Sequence, residues 1–124
     1  MTTTVEPIHS YKDLIVWQKS MDLLVAVYGF TDGFPETERY GLSSQMRRAT
    51  VSISSNIAEG RRRGSRKDYR QFLIIAYGSG AELETQLEAS RRLSFGRDEN
   101  RTRCDALLNE VMRMLNKMLS NMSA

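Results

Sequence analysis

Apolar residues return at spacings of three and four in four successive segments of the chain. Leu14, Trp17, Met21, Leu24 and Tyr28 form the first row, and Leu42, Met46, Ala49, Ile53 and Ile57 the second. Tyr69, Leu73, Ala76, Gly80, Leu83 and Leu87 form the third, and Cys104, Leu108, Val111, Leu115, Met118 and Met122 the fourth. An α-helix turns once every 3.6 residues, so each row predicts one helix with one buried stripe. No strand-like alternation competes with them.

The residues between the rows punctuate the helices. Ser10 and Asp13 form a capping pair, and the first helix should end before the turn-rich TDGFPE. The second helix starts around Pro35–Tyr40, with its first turn broken at Gly41, and Gly60 is placed as its C-terminal cap. Ser65 and Asp68 open the third helix, and Phe95-Gly96-Arg97-Asp98 is a turn before the fourth. The reading is an all-α chain with helices at about 11–30, 36–59, 66–93 and 99–121, within one domain at 11–121. Residues 1–10 are expected to be a flexible N-terminus and 122–124 a tail. Four helices with short connections predict an antiparallel up-down-up-down bundle.

Composition narrows the function. With 124 residues, the chain suits a single domain with a modest core. Cys104, the single cysteine, can form neither an internal disulfide nor a thiolate zinc site, which fits a reducing cytoplasm. His9 is the single histidine, so Glu-x-x-His metal pairs in a bundle core are unavailable. No apolar stretch approaches a membrane span, and MTTTVEPIHS lacks a secretory pattern. No phosphate loop, nucleophile elbow or metal-ligand motif occurs. Glu59, Glu82 and Glu84 would form a carboxylate group only if the fold gathered them. The expectation is a protein that is not an enzyme and uses no cofactor or metal.

Some apolar residues exceed what a lone bundle needs. Ile15, Val16, Leu23, Val27 and Phe30 lie off the first row. In the fourth helix the apolar arc including Leu107, Met112, Met114 and Leu119 spans about 160° at roughly 100° per residue. Both helices are therefore candidates for a subunit interface. Gly78-Ser79-Gly80 costs helix propensity, and the apolar pattern on both sides points to close approach by another helix.

Gln45, Arg48, Ser52, Ser55 and Glu59, bordered by Asn56, make a polar row on the second helix. From spacing alone the row suits a solvated face. Most of these residues do little for helix propensity, however, and a hydrogen-bonded contact with a neighbouring helix or subunit would use them better. The surrounding words are SSQMRRATVSISSNIAEG, with DLIVWQKSMDL before and FLIIAYGSGAELETQLE after. They resemble the bacterial four-helix bundle family, some members of which are encoded by intervening sequences in 23S rRNA genes. The likeness runs from about Tyr11 to Leu119. It implies an antiparallel bundle assembled as a homopentameric ring, with a possible nucleic-acid role rather than catalysis. It also implies a distant similarity to accessory proteins of diversity-generating retroelements, which partner a reverse transcriptase and its RNA. Gln45, Arg47, Arg48, Ser52, Asn56, Glu59 and Gly60 carry over as residues of fold and assembly.

Charge is concentrated in one place. The formal net charge is +3, yet the ten residues RRRGSRKDYR alone carry a net of +5. Arg61, Arg62, Arg63, Arg66, Lys67 and Arg70 thus form a basic turn between the second and third helices. Arginine suits phosphate because its planar fork donates two hydrogen bonds at once. The same charges also suit a helix end and a solvated loop. In the ring of five implied by the resemblance, about 30 such groups would share one rim and attract polyanions. No base-reading motif accompanies them, and Tyr69 belongs to an apolar row, so the expected binding is phosphate-driven with little sequence preference. The alternative is a structural adaptor whose partner is a protein such as a reverse transcriptase.

Overall fold

The computed structural model describes residues 10–122. The flexible segment expected at 1–10 lies outside them except for Ser10, as do His9 and residues 123–124 of the tail. Among the described residues every element is helical: a short 3-10 turn Tyr11–Asp13, α1 Ile15–Thr31, a second 3-10 turn Glu36–Glu38, α2 Leu42–Arg63, α3 Arg66–Arg92 and α4 Asp98–Asn121. Each long helix packs on two others: α1 on α2 and α4, and α3 on α2 and α4.

The helix ends follow local chemistry. Ser65 caps α3, its side chain accepting from the Asp68 amide at 3.0 Å. Ser10 instead caps only the first 3-10 turn, accepting from the Lys12 amide at 3.1 Å. The helix α1 starts later, with Leu14 at its N-cap and no side-chain cap bond. The expected break before α2 is present at Gly41, where Glu38 Oε1 accepts from the Leu42 amide at 3.0 Å.

Gly60 does not end α2. The helix runs on to Arg63 and stops at Gly64, whose φ of +88° is the left-handed conformation of a glycine cap. Arginine has good helix propensity, and three cations in the last turn meet the negative end of the helix dipole. Gly60 is buried within the helix instead, where a Cβ would lie 2.7 Å from Phe72 Cβ on α3. Its missing side chain lets Phe72 and Tyr69 of α3 pack against the α2 backbone.

The core contains the expected stripes of α2, α3 and α4. Met46, Ala49, Ile53 and Ile57 are buried, as are Leu73, Ala76, Leu83, Leu87, Cys104, Leu108, Val111 and Leu115. In α1 the core selects the other face. Val16, Ser20, Leu23, Val27, Phe30 and Thr31 are buried, while Tyr28 is exposed and Leu14, Trp17, Met21 and Leu24 are half-buried. Ser20 lies in the middle of this face. Its hydroxyl meets Ser54 on α2 at 2.9 Å and donates to Trp17 O at 2.7 Å. These small, mutually satisfied residues sit where α1 and α2 cross. A polar residue at the centre of the true stripe hides it from a count of apolar spacings.

The two helical glycines of α3 differ. A Cβ on Gly80 would collide with the Met112 thioether of α4, in keeping with the expected close approach. Gly78 has nothing within 4 Å, so helix packing does not explain its presence.

Candidate nucleic-acid interface

Three parts of the chain meet at one end of the molecule: the last turn of α2, the first turn of α3 and the C-terminus of α4. Arg66 Nη2 donates to Asn121 O at 3.1 Å, tying the start of α3 to the last turn of α4. The start of the described chain joins them, with Ser10 and Tyr11 bordering a hollow of about 260 Å³ that Arg61, Arg62 and Gly64 complete.

The basic segment is less of a turn than its sequence suggests. Arg61, Arg62 and Arg63 are the last turn of α2, and Arg66, Lys67 and Arg70 belong to α3. Only Gly64 and Ser65 connect the helices. The six cations are therefore carried on rigid elements around a tight corner. Arg62 Cζ lies 5.7 Å from the Tyr11 ring centroid. Arg63 is held between Phe72, 5.0 Å from its ring centroid, and Glu59, whose Oε2 accepts at 2.7 Å. That carboxylate raises the Arg63 pKa above its ordinary value. Lys67 and Arg70 have no ion-pair partner among the described residues. Tyr69 is half-buried beneath Gly60, and its hydroxyl is buried without a hydrogen-bond partner among the described residues. Burial pushes its pKa up, with the Arg61 charge opposing.

The polar row on α2 divides by role. Ser52 Oγ and Ser79 Oγ on α3 are 2.8 Å apart, and Asn56 Nδ2 donates to Ser52 O at 2.8 Å and to Ser52 Oγ at 3.0 Å. This network joins α2 to α3 within one chain. Arg47 joins α2 to the end of α1: Nε donates to Thr31 Oγ1 at 2.9 Å and Nη2 to Asp32 Oδ1 at 2.8 Å. Glu59 serves Arg63, and Gly60 serves packing. Gln45 and Arg48 are exposed and line a groove of about 290 Å³ with Ala49, Ser52 and Glu82.

Cys104 is fully buried, and loss of solvation pushes its thiol pKa up to about 12, so it stays protonated near neutrality. The described residues hold no group of three or more His, Cys, Asp or Glu placed for a metal ion. No helix among them is long and apolar enough to cross a membrane.

The family model of the 23S rRNA-intervening sequence protein matches residues 12–117. The chain belongs to this family. A crystal structure from Bacteroides thetaiotaomicron, described as a protein with unknown function from the S23 ribosomal protein family, is similar at 27% identity and a TM-score of 0.75. The match covers 85% of this chain and 98% of that one. No functionally curated protein matches. Within the family match, Arg39 and Tyr40 drew no attention as sequence, because they fall in a connection between two helical rows. Their one visible signal is an aromatic residue directly beside an arginine.

Proposed function

We propose that this chain is a non-enzymatic, homo-oligomeric four-helix bundle protein that binds nucleic-acid phosphates with low sequence specificity through its basic end. The observation that carries this reading is the gathering of Arg61, Arg62, Arg66, Lys67 and Arg70 around one corner, beside the N-terminus of α3. Cations on rigid helices, next to unpaired backbone N–H groups and a positive dipole end, favour a polyanion. On this reading the bundle is antiparallel, up-down-up-down, and forms the pentameric ring implied by its likeness to the family. The ring repeats the basic corner around one rim. The protein uses no cofactor or metal and works in the cytoplasm.

Binding of short RNA and DNA at low and moderate salt tests it. The variant Arg62→Ala/Lys67→Ala/Arg70→Ala should bind more weakly than wild type at low salt. Absence of binding by wild type, or equal binding by the variant, refutes the reading.

A second reading is an adaptor that docks a protein, such as a retroelement reverse transcriptase. Ile15 and Val25 of α1 favour it, exposed at 62% and 68%. So does an apolar groove of about 410 Å³ in which Leu14, Ile15 and Val16 face Met114 and Met118 of α4. Light scattering distinguishes self-assembly at this surface from a free face, and an affinity pull-down that recovers no partner counts against the adaptor.

A further inference from the structure

A groove of about 650 Å³ runs along the flank of the bundle, where the end of α1, the connection before α2 and the first half of α2 meet. It lies away from the basic corner. Arg48 and Arg62 share α2 and are separated by about 20 Å of helix at roughly 1.5 Å per residue. Three arginines line the groove, Arg39, Arg47 and Arg48, together with Tyr28 and Tyr40. No carboxylate does among the described residues. Arg47 is neutralised from outside by Asp32 at 2.8 Å. Arg39 and Arg48 make no contact ion pair among the described residues, although Glu36 shares an adjoining hollow with Arg39 and Glu82 one with Arg48. The groove thus holds two guanidinium groups not locked to a carboxylate.

The aromatic residues are unusual in their exposure. Tyr40 is 87% exposed, so its ring contributes little to the core. Arg39 Cζ lies 5.6 Å from its centroid. Tyr28 has Arg47 Cζ at 4.5 Å from its centroid and remains partly exposed. Ser44 and Ser52 border the same space. Exposed aromatic rings interleaved with guanidinium groups suit one ligand chemistry best: a flat base to stack, attached to a phosphate to pair.

We propose that this groove takes an unpaired nucleotide of a single-stranded nucleic acid, with the base on Tyr40 and the adjoining phosphate on Arg39 and Arg48. The inference rests on the nucleic-acid reading above and deepens it. The basic corner attracts any polyanion, whereas the flank distinguishes single strands from duplexes. A base locked in a duplex cannot present its face to Tyr40.

The test uses the full chain and a short single-stranded oligonucleotide carrying one fluorescent purine analogue, beside a duplex of equal length. Wild type should quench the analogue and bind the single strand more tightly than the duplex. Tyr40→Ala should lose roughly tenfold in single-strand affinity and lose the quenching, with duplex binding unchanged. Tyr40→Phe should keep both. The basic-corner variant Arg62→Ala/Lys67→Ala/Arg70→Ala should weaken single strand and duplex alike, yet quench at saturation. If that variant binds normally while quenching still needs Tyr40, the basic corner is the wrong surface and the groove stands. Unchanged single-strand binding by Tyr40→Ala overturns the groove. So does a change in subunit number by light scattering without a change in affinity, which would make Tyr40 an interface residue.

Discussion

The two ends of the bundle are both rich in arginine but use it differently. At the end formed by the α1 and α3 C-termini, four arginines of the α3–α4 corner have an acidic partner, although Arg39 in the α1–α2 connection has none among the described residues. Arg91 and Arg92 share Glu88, Arg97 meets Glu99, and Arg101 meets Asp98. Beside them Phe30, Phe34 and Phe95 close the core, with centroids 4.9 Å and 5.5 Å apart in successive pairs. At the other end Lys67 and Arg70 have no such partner among the described residues, and Arg66 spends its hydrogen bond on a backbone carbonyl. The first end invests in burial and local neutrality. The second leaves positive charge available. A chain of modest net charge can thus concentrate positive charge at one end when its counter-ions are unevenly placed.

The largest expected effect lies at the aromatic end. Phe30→Ala should cost about 3–5 kcal/mol by urea unfolding, because Phe30 is fully buried and packs its ring on Phe34. A comparable loss from Lys67→Ala would break the contrast between the ends.

Next is the seam leading to the basic corner. Gly60→Ala should cost about 1–3 kcal/mol, since the new methyl meets Phe72 Cβ at 2.7 Å. Gly78→Ala, in the open part of α3, should instead stabilise by up to about 1 kcal/mol. Measuring both separates glycine used for packing from glycine tolerated in a helix.

The basic corner should show its importance in binding rather than in stability. Arg62→Ala/Lys67→Ala/Arg70→Ala should shift unfolding by only about 0.5 kcal/mol per site or less. It should also reduce the slope of log affinity against log salt by about 2 for single strands. An unchanged slope would show that these groups do not meet phosphates.

The smallest effect concerns acid. Hydrogen bonds from Arg91 and then Arg92 hold the Glu88 carboxyl down to about 2, from an ordinary 4.5. Because the folded value is depressed, this contribution is present above about pH 4.5 and is lost as pH falls toward 2. Glu88 is solvent-accessible, so screening keeps the effect small. Glu88→Gln should flatten the acid limb of the stability profile in that window. An identical limb would mean that the arginine pairs do not persist in solution.

How far the sequence was legible depended on how local each cause was. The α3 N-cap could be read from Ser65 and Asp68 because a cap bond spans three residues. The stripe of α2 could be read because Arg47, Arg48, Glu59 and several serines mark its polar side. In α1, Leu14 to Trp17 and Leu23 to Val27 are apolar almost all round, so two rows at helical spacing were equally available. The buried row contains Ser20, whose partner Ser54 lies thirty-four residues away on another helix and so leaves no trace in the local spacing. Gly60 looked like a cap for a related reason: a glycine near a helix end has the same local signature whether it turns the chain or admits a neighbour.

By itself, then, the sequence determined four helices, most of their core faces and the location of the excess charge. Those follow from spacings within one helix and from counting ionisable groups. Tertiary structure decided which face of α1 is buried, why Gly60 and Gly80 lack side chains, and which arginines are neutralised. It also assembled the flank groove, bringing Tyr28 of α1 and the Arg39–Tyr40 connection beside Arg48 of α2. Each of these depends on what the opposing helix presents, and a periodicity records only the helix that carries it.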